Sequence, residues 1–173
     1  MKGYFALGVE GISKARNLGA VMRTGHAFGA GFVFTINAAN RASEMFQTDT
    51  AKTTQNLPYY DWDGLDDMVL PRGCALVGVE LTEDAVTMPS FRHPRAAAYV
   101  FGPERGDLSA AMLDRCAHVV KIPTRFCVNL SVAAAITLYD RAVCLGGYPV
   151  RPVRPGGPID EKAHVWGKPK KRT

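Results

Sequence analysis

The 173-residue chain carries 21 basic and 16 acidic side chains, a formal net charge of +5, and 47% hydrophobic residues. That length suits one domain with a core large enough to need no staples, and no run approaches the roughly 18 apolar residues of a membrane helix. The charge is uneven, because residues 148–173 hold seven basic side chains against Asp160 and Glu161, which leaves residues 1–147 formally neutral.

Taken in chain order, residues 4–9 read as a first strand, too short and too Gly-broken for a signal peptide. Residues 18–28 have helical character, with Leu18, Val21, Met22 and Phe28 apolar, and stop at Gly29. Residues 32–36 form a buried strand, so this β-α-β start predicts a right-handed crossover and a parallel sheet. Residues 40–58 are polar, with a short helix at 43–47, and a further short helix at 65–69 ends at Pro71. Strands follow at 74–79, 97–101 and 119–122. Ser109 caps a helix running to Cys116. The alternation predicts an α/β domain, a mostly parallel sheet flanked by helices. The domain spans 1–147 and the basic, Pro/Gly-rich tail 148–173.

The last strand leads into IPTRFCVNLSVAAAITLYD (122–140). Pro123 cannot donate to a ladder, a polar loop follows, and Asn129 caps a long helix. Along it Val132, Ile136, Tyr139 and Val143 are spaced four, three and four apart and share one face. The small residues 131–135 let a backbone or a flat ligand approach closely. A tightly packed core helix accounts for the same pattern.

In open parallel sheets ligands gather beyond the carboxyl ends of the strands. The loops after Val79, Phe101 and Ile122 would open at one edge, which argues for a single site. In FGPERGDLS (101–109), Gly102 and Gly106 permit close approach, Pro103 stiffens the turn, and Glu104 is the one carboxylate at the strand end. No GxGxxG or Lys-Ser/Thr pattern follows, which argues against a phosphate cradle. In NLGAVMRTGHAFG (17–29), Arg23 sits in an apolar helix, where a guanidinium is expensive unless it is paired, faces an anion or snorkels. Asn17 lies six residues earlier. His26 is a rival base. Cys74, Cys116, Cys127 and Cys144 have no CxxC or zinc-finger spacing, which predicts reduced thiols, no metal and a cytoplasmic protein.

These three motifs, in this order, resemble the signature of the SpoU, or TrmH-type, family of SPOUT RNA methyltransferases, over residues 17–140. The resemblance implies S-adenosyl-L-methionine as cofactor, held near Leu81, Gly102, Glu104, Ile122, Pro123, Leu130, Ser131 and Ala133. It implies catalytic roles for Arg23, Asn17, Glu104 and Asn129, with ribose 2′-hydroxyl as acceptor. Cys127 stands where the family often has Ser. The resemblance further implies a trefoil knot near the C-terminus of the sheet, a homodimer abutting the cofactor site, and tRNA ahead of rRNA as substrate. The tail reads as a polyanion-binding arm, with Lys168, Lys170, Lys171 and Arg172 as RNA ligands alongside Arg23; a solvated terminus explains the same charge. The alternatives are a SPOUT-fold base methyltransferase and a non-catalytic RNA-binding protein.

Overall fold

The computed structural model describes residues 3–39, 57–148 and 155–156. Strand β1 (Phe5–Glu10) leads into helix α1 (Ala15–Phe28) and strand β2 (Phe32–Ile36). Strands β3 (Tyr59–Trp62), β4 (Ala75–Val79), β5 (Val86–Thr87) and β6 (Ala97–Phe101) follow. Helix α2 (Ala110–Arg115), strand β7 (His118–Lys121) and helix α3 (Leu130–Leu145) complete the described elements. The seven strands form one sheet in the order β3-β2-β1-β6-β4-β7-β5, and every pairing is parallel.

Alternation along the strands splits the core in two. Leu7, Val9, Val33, Val77, Tyr99 and Phe101 face the layer made by α1 and α3. Ala6, Phe34, Ile36, Ala98 and Val100 face the other side, with Leu108 and with Met112 of α2. Burying each such Leu or Met contributes about 1.5–3 kcal/mol. Gly8 is glycine because the Phe34 ring occupies its side-chain position; a Cβ there would lie 2.1 Å from the ring.

Local signals end the helices where the sequence places them. Gly29 closes α1 in the left-handed region, at φ 80°, and Ala30 N–H reaches back to the Gly25 carbonyl. Ser109 caps α2 by accepting from Met112 N–H at 3.1 Å. Asn129 caps α3 through its side chain, which accepts from the Ser131 N–H and hydroxyl at 3.0 and 2.8 Å.

Three points differ from the sequence reading, and a fourth lies outside the described residues. The helix at 65–69 is a 3₁₀ turn over Leu65–Asp67. Strands β3 and β5, unread in the sequence, occupy the two edges of the sheet. The short helix at 43–47 falls outside the described residues. The shared apolar face of α3 is mostly not its core face: Val132, Tyr139 and Val143 are exposed and only Ile136 packs on the core, while Leu130, Ala134, Thr137, Leu138 and Arg141 are buried.

The reason is a polar cluster at the amino edge of the sheet. Arg141 donates to the carbonyls of Tyr4, Pro94 and Arg95 and, at 3.1 Å, to the Tyr99 hydroxyl. His93 joins the same hydroxyl (2.6 Å) to the Asp140 carboxylate (2.9 Å). Burial pushes the Tyr99 hydroxyl up to about 12 against the opposing pull of Arg141. These bonds fix which side of α3 packs inward, overriding the apolar stripe.

Candidate active site

The loops after β4, β6 and β7 meet at the carboxyl edge of the sheet, around a cavity of about 290 Å³. That is near the lower end of small-molecule sites, roughly 300–1,000 Å³. Leu81 comes from the first loop, Gly102 and Glu104 from the second, and Ile122 from the third, with Asn129, Leu130 and Ala133 at the start of α3. Cys127 and Val128 also line it. Pro123, exposed, and Ser131, beside the cap, do not. The lining includes Glu80, Glu104 and Asp107 but no Lys or Arg.

Glu104 is not alone at a strand end, because Glu10 closes β1 and Glu80 follows β4. Each holds backbone from another part of the chain. Glu104 accepts from Ser13 N–H (3.3 Å) and hydroxyl (3.1 Å), Lys14 N–H (3.1 Å) and the Asn17 amide (2.9 Å). Burial pushes its carboxyl upward, but bonds from its own backbone, Asn17 and Ser13 outweigh this and hold it below the usual range. Glu10 takes Ser109 N–H and hydroxyl at 2.9 and 2.7 Å. Glu80 takes Leu81 N–H at 2.8 Å and Leu108 N–H at 2.9 Å. The β6–α2 loop is thereby pinned to β1, β4 and the start of α1.

This geometry bears on the roles implied for Glu104, Asn17 and Asn129. Asn17, buried in α1, ties that helix to Glu104, and neither it nor Arg23 lines the cavity. Asn129 faces the cavity with its side-chain oxygen already committed to the cap. Gly102 is required by its own loop: a Cβ would lie 2.9 Å from Leu108 N and 3.0 Å from the Asp107 carbonyl carbon. Gly106, at φ 142°, takes the turn that L residues disfavour.

Arg23 is exposed and makes no hydrogen bond or ion pair among the described residues, so the burial cost expected for it does not arise. His26 is exposed as well. Lys14, Arg16, Arg105 and Arg125, all exposed, lie on segments at the cavity edge of the sheet. None of them forms an ion pair among the described residues. Lys168, Lys170, Lys171 and Arg172 lie outside the described residues. The four cysteines are free, with Cys127 exposed. Burial pushes the Cys116 thiol up to about 11. No cluster of three metal-ligating side chains occurs among the described residues.

Sequence reading missed Glu80 and Glu10. The available signal was position, a carboxylate directly after an apolar strand, as at Glu104.

The model of the SpoU rRNA Methylase family matches residues 4–139. The chain belongs to this family. No curated protein sequence matches it significantly. Among solved structures, it is similar to an AdoMet-bound rRNA methyltransferase from Sinorhizobium meliloti, with TM-score 0.74 and 18% identity, over 84% of this chain and 58% of that one. It is similar to a TrmH/SpoU tRNA modifying enzyme of A. aeolicus, at 0.68 and 18%, over 83% and 76%. A third structure, concerning 2-OH methylation of C/U34 on tRNA, aligns at 0.73 and 22%, over 84% and 92%. At these identities the likeness is one of fold. The SpoU chain described here thus spans less than two thirds of the Sinorhizobium protein.

Proposed function

We propose that this SpoU-family chain is an S-adenosyl-L-methionine-dependent RNA methyltransferase that acts on a ribose 2′-hydroxyl, with tRNA favoured over rRNA as substrate. One observation carries the cofactor reading. The cavity presents apolar faces and three carboxylates with no Lys or Arg on its wall. A phosphate-bearing nucleotide would be repelled there, whereas a ligand with sulfonium and ammonium charges fits. Leu81, Ile122, Leu130 and Ala133 supply the flat apolar contacts an adenine needs, and the pinned Gly102 loop supplies backbone donors and acceptors.

Bound there, the cofactor supplies an electrophilic methyl group. The chain's part is to hold the acceptor oxygen in line and to exclude water. Arg23 orients an RNA phosphate or stabilises charge developing on the ribose oxygen. A guanidinium with a pKa above about 12 is poorly suited to take the proton itself. The exposed Lys14, Arg16, Arg105 and Arg125 give RNA a basic rim without neutralising the cavity, and the basic tail extends that reach. A cytoplasmic setting accords with four free thiols.

A second copy belongs to the proposal. Val132, Tyr139 and Val143 expose an apolar stripe on α3, and Phe126 in the loop before it is 77% exposed. Sedimentation at a monomer's mass would remove this element. So does the knot: β7 lies beyond β4, yet α3 returns to pack on α1 beside β1. Mechanical stretching to the full contour length would exclude it.

The test of the whole reading is methyl transfer from labelled cofactor to tRNA and rRNA, followed by mapping of the product. A 2′-O-methyl nucleotide is the expected result. A methylated base would mean base chemistry, and RNA binding without transfer would mean a binding module.

A further inference from the structure

The cavity holds two glutamates whose hydrogen bonding differs in a way that assigns them different work. A carboxylate has about four acceptor positions. Glu104 has all of them filled: Oε1 takes Lys14 N–H and the Asn17 amide, and Oε2 takes Ser13 N–H and hydroxyl. Glu80 also lines the cavity, but each of its oxygens takes one backbone N–H, from Leu81 and Leu108. Those bonds fix the carboxylate in place, and no cation pairs with it among the described residues. One acceptor position per oxygen is left, side by side, on the wall of a mainly apolar cavity. An acceptor in such a place is satisfied by water or by donors on a ligand.

We propose that Glu80 is a ligand-binding residue that accepts hydrogen bonds from the two ribose hydroxyls of an adenosine-type ligand. The pairing is chemical: a vicinal diol presents two O–H donors at a spacing that two oxygens of one carboxylate can take together. The same logic places acidic side chains at strand ends on ribose hydroxyls in other nucleoside sites. Asp107, the third carboxylate of the wall, is exposed and has no hydrogen bond among the described residues, so it would have to be ordered on binding. The inference rests on the cofactor reading above and adds a residue that sets its specificity for a ribose over a deoxyribose.

The test is calorimetric binding of S-adenosyl-L-homocysteine and its 2′-deoxy and 3′-deoxy ribose analogues to the wild type, Glu80→Gln and Asp107→Asn. Wild type should lose roughly 10- to 100-fold in affinity with each analogue, the scale of one hydrogen bond to a charged group. Glu80→Gln should bind all three ligands weakly and nearly alike, and Asp107→Asn should keep the wild-type ratio. The ratio is the decisive reading, because a loop merely loosened at Leu108 weakens all three ligands equally and leaves it intact. A Glu80→Gln variant that still discriminates as wild type does would overturn the assignment, as would loss of discrimination in Asp107→Asn alone. Wild type binding none of the three would instead overturn the cofactor reading. Wild type binding all three equally would overturn the ribose contact and leave the cofactor reading standing.

Discussion

At the amino edge of the sheet, Arg141 is 4% exposed and its donors end on three carbonyls and a hydroxyl. At the carboxyl edge, Glu80 stands in a cavity with half its acceptor capacity open, and Arg105 and Arg125 stand in solvent without ion pairs among the described residues, as does Arg23 further along α1. Both edges use polar groups to hold loops, but only one leaves groups free to meet a ligand. A closed polar network specifies packing, and an open one can be completed by something else. The two edges should therefore respond differently to substitution, the first in stability and the second in binding and rate.

The largest effect should come from breaking the closed network. Arg141→Met leaves the Tyr4, Pro94 and Arg95 carbonyls and the Tyr99 hydroxyl short of donors, and should cost roughly 3–5 kcal/mol by denaturant unfolding. A loss below 1 kcal/mol would show the network to be replaceable by water. Arg23→Ala should do the reverse. Stability should change by no more than about 0.5 kcal/mol because the side chain is exposed, while methyl transfer falls on the order of 10²- to 10³-fold. Full activity would move His26 to the front.

Ending the chain after Gly167 removes Lys168, Lys170, Lys171 and Arg172. The salt dependence of RNA binding should flatten by up to ~4 units of slope if all four meet phosphate; an unchanged slope makes the tail a solvated terminus. A smaller effect belongs to Glu104→Gln. Its amide nitrogen would face N–H donors it cannot accept from, costing about 1 kcal/mol.

Each edge also carries a titrating group, His93 at the amino edge and Glu104 at the carboxyl edge. Burial pulls the folded His93 pKa down, against the opposing effect of Asp140, so its contribution is intact above the unfolded value of 6.5 and is lost as pH falls through the folded value. Glu104, also lowered, contributes above its unfolded value of 4.5 and loses that contribution as pH falls further. Melting temperature should therefore decline in two stages on acidification. Glu104→Gln should flatten the lower stage alone, and a melting temperature that rises on acidification would contradict both assignments.

Much of this architecture was legible because its signals are local. Gly29, Ser109 and Asn129 mark helix ends by their own chemistry, and the apolar runs at β2 and β6 admit one reading at their length. The convergence of three loops followed from strand direction alone. What escaped depends on distant partners. The inward face of α3 is chosen by Arg141 and Asp140 meeting residues 93–99, and nothing in the stripe of Val132, Tyr139 and Val143 announces this. Gly102 borders the cavity as read, but its lack of a side chain is also required by Leu108, a contact the sequence does not announce. Glu80 and Glu10 are marked in sequence only by their place after an apolar strand, because the loop they hold lies 28 and 99 residues away.

The central claim is that the carboxyl-edge cavity takes a cationic nucleoside cofactor and refuses a phosphate-bearing one. Thermal unfolding of the wild-type chain with S-adenosyl-L-methionine, and separately with NAD, tests it directly. The account predicts a gain of about 2.7 kcal/mol at a hundredfold excess of S-adenosyl-L-methionine over its dissociation constant, and none with NAD. An equal gain with NAD, or none with S-adenosyl-L-methionine, would contradict it.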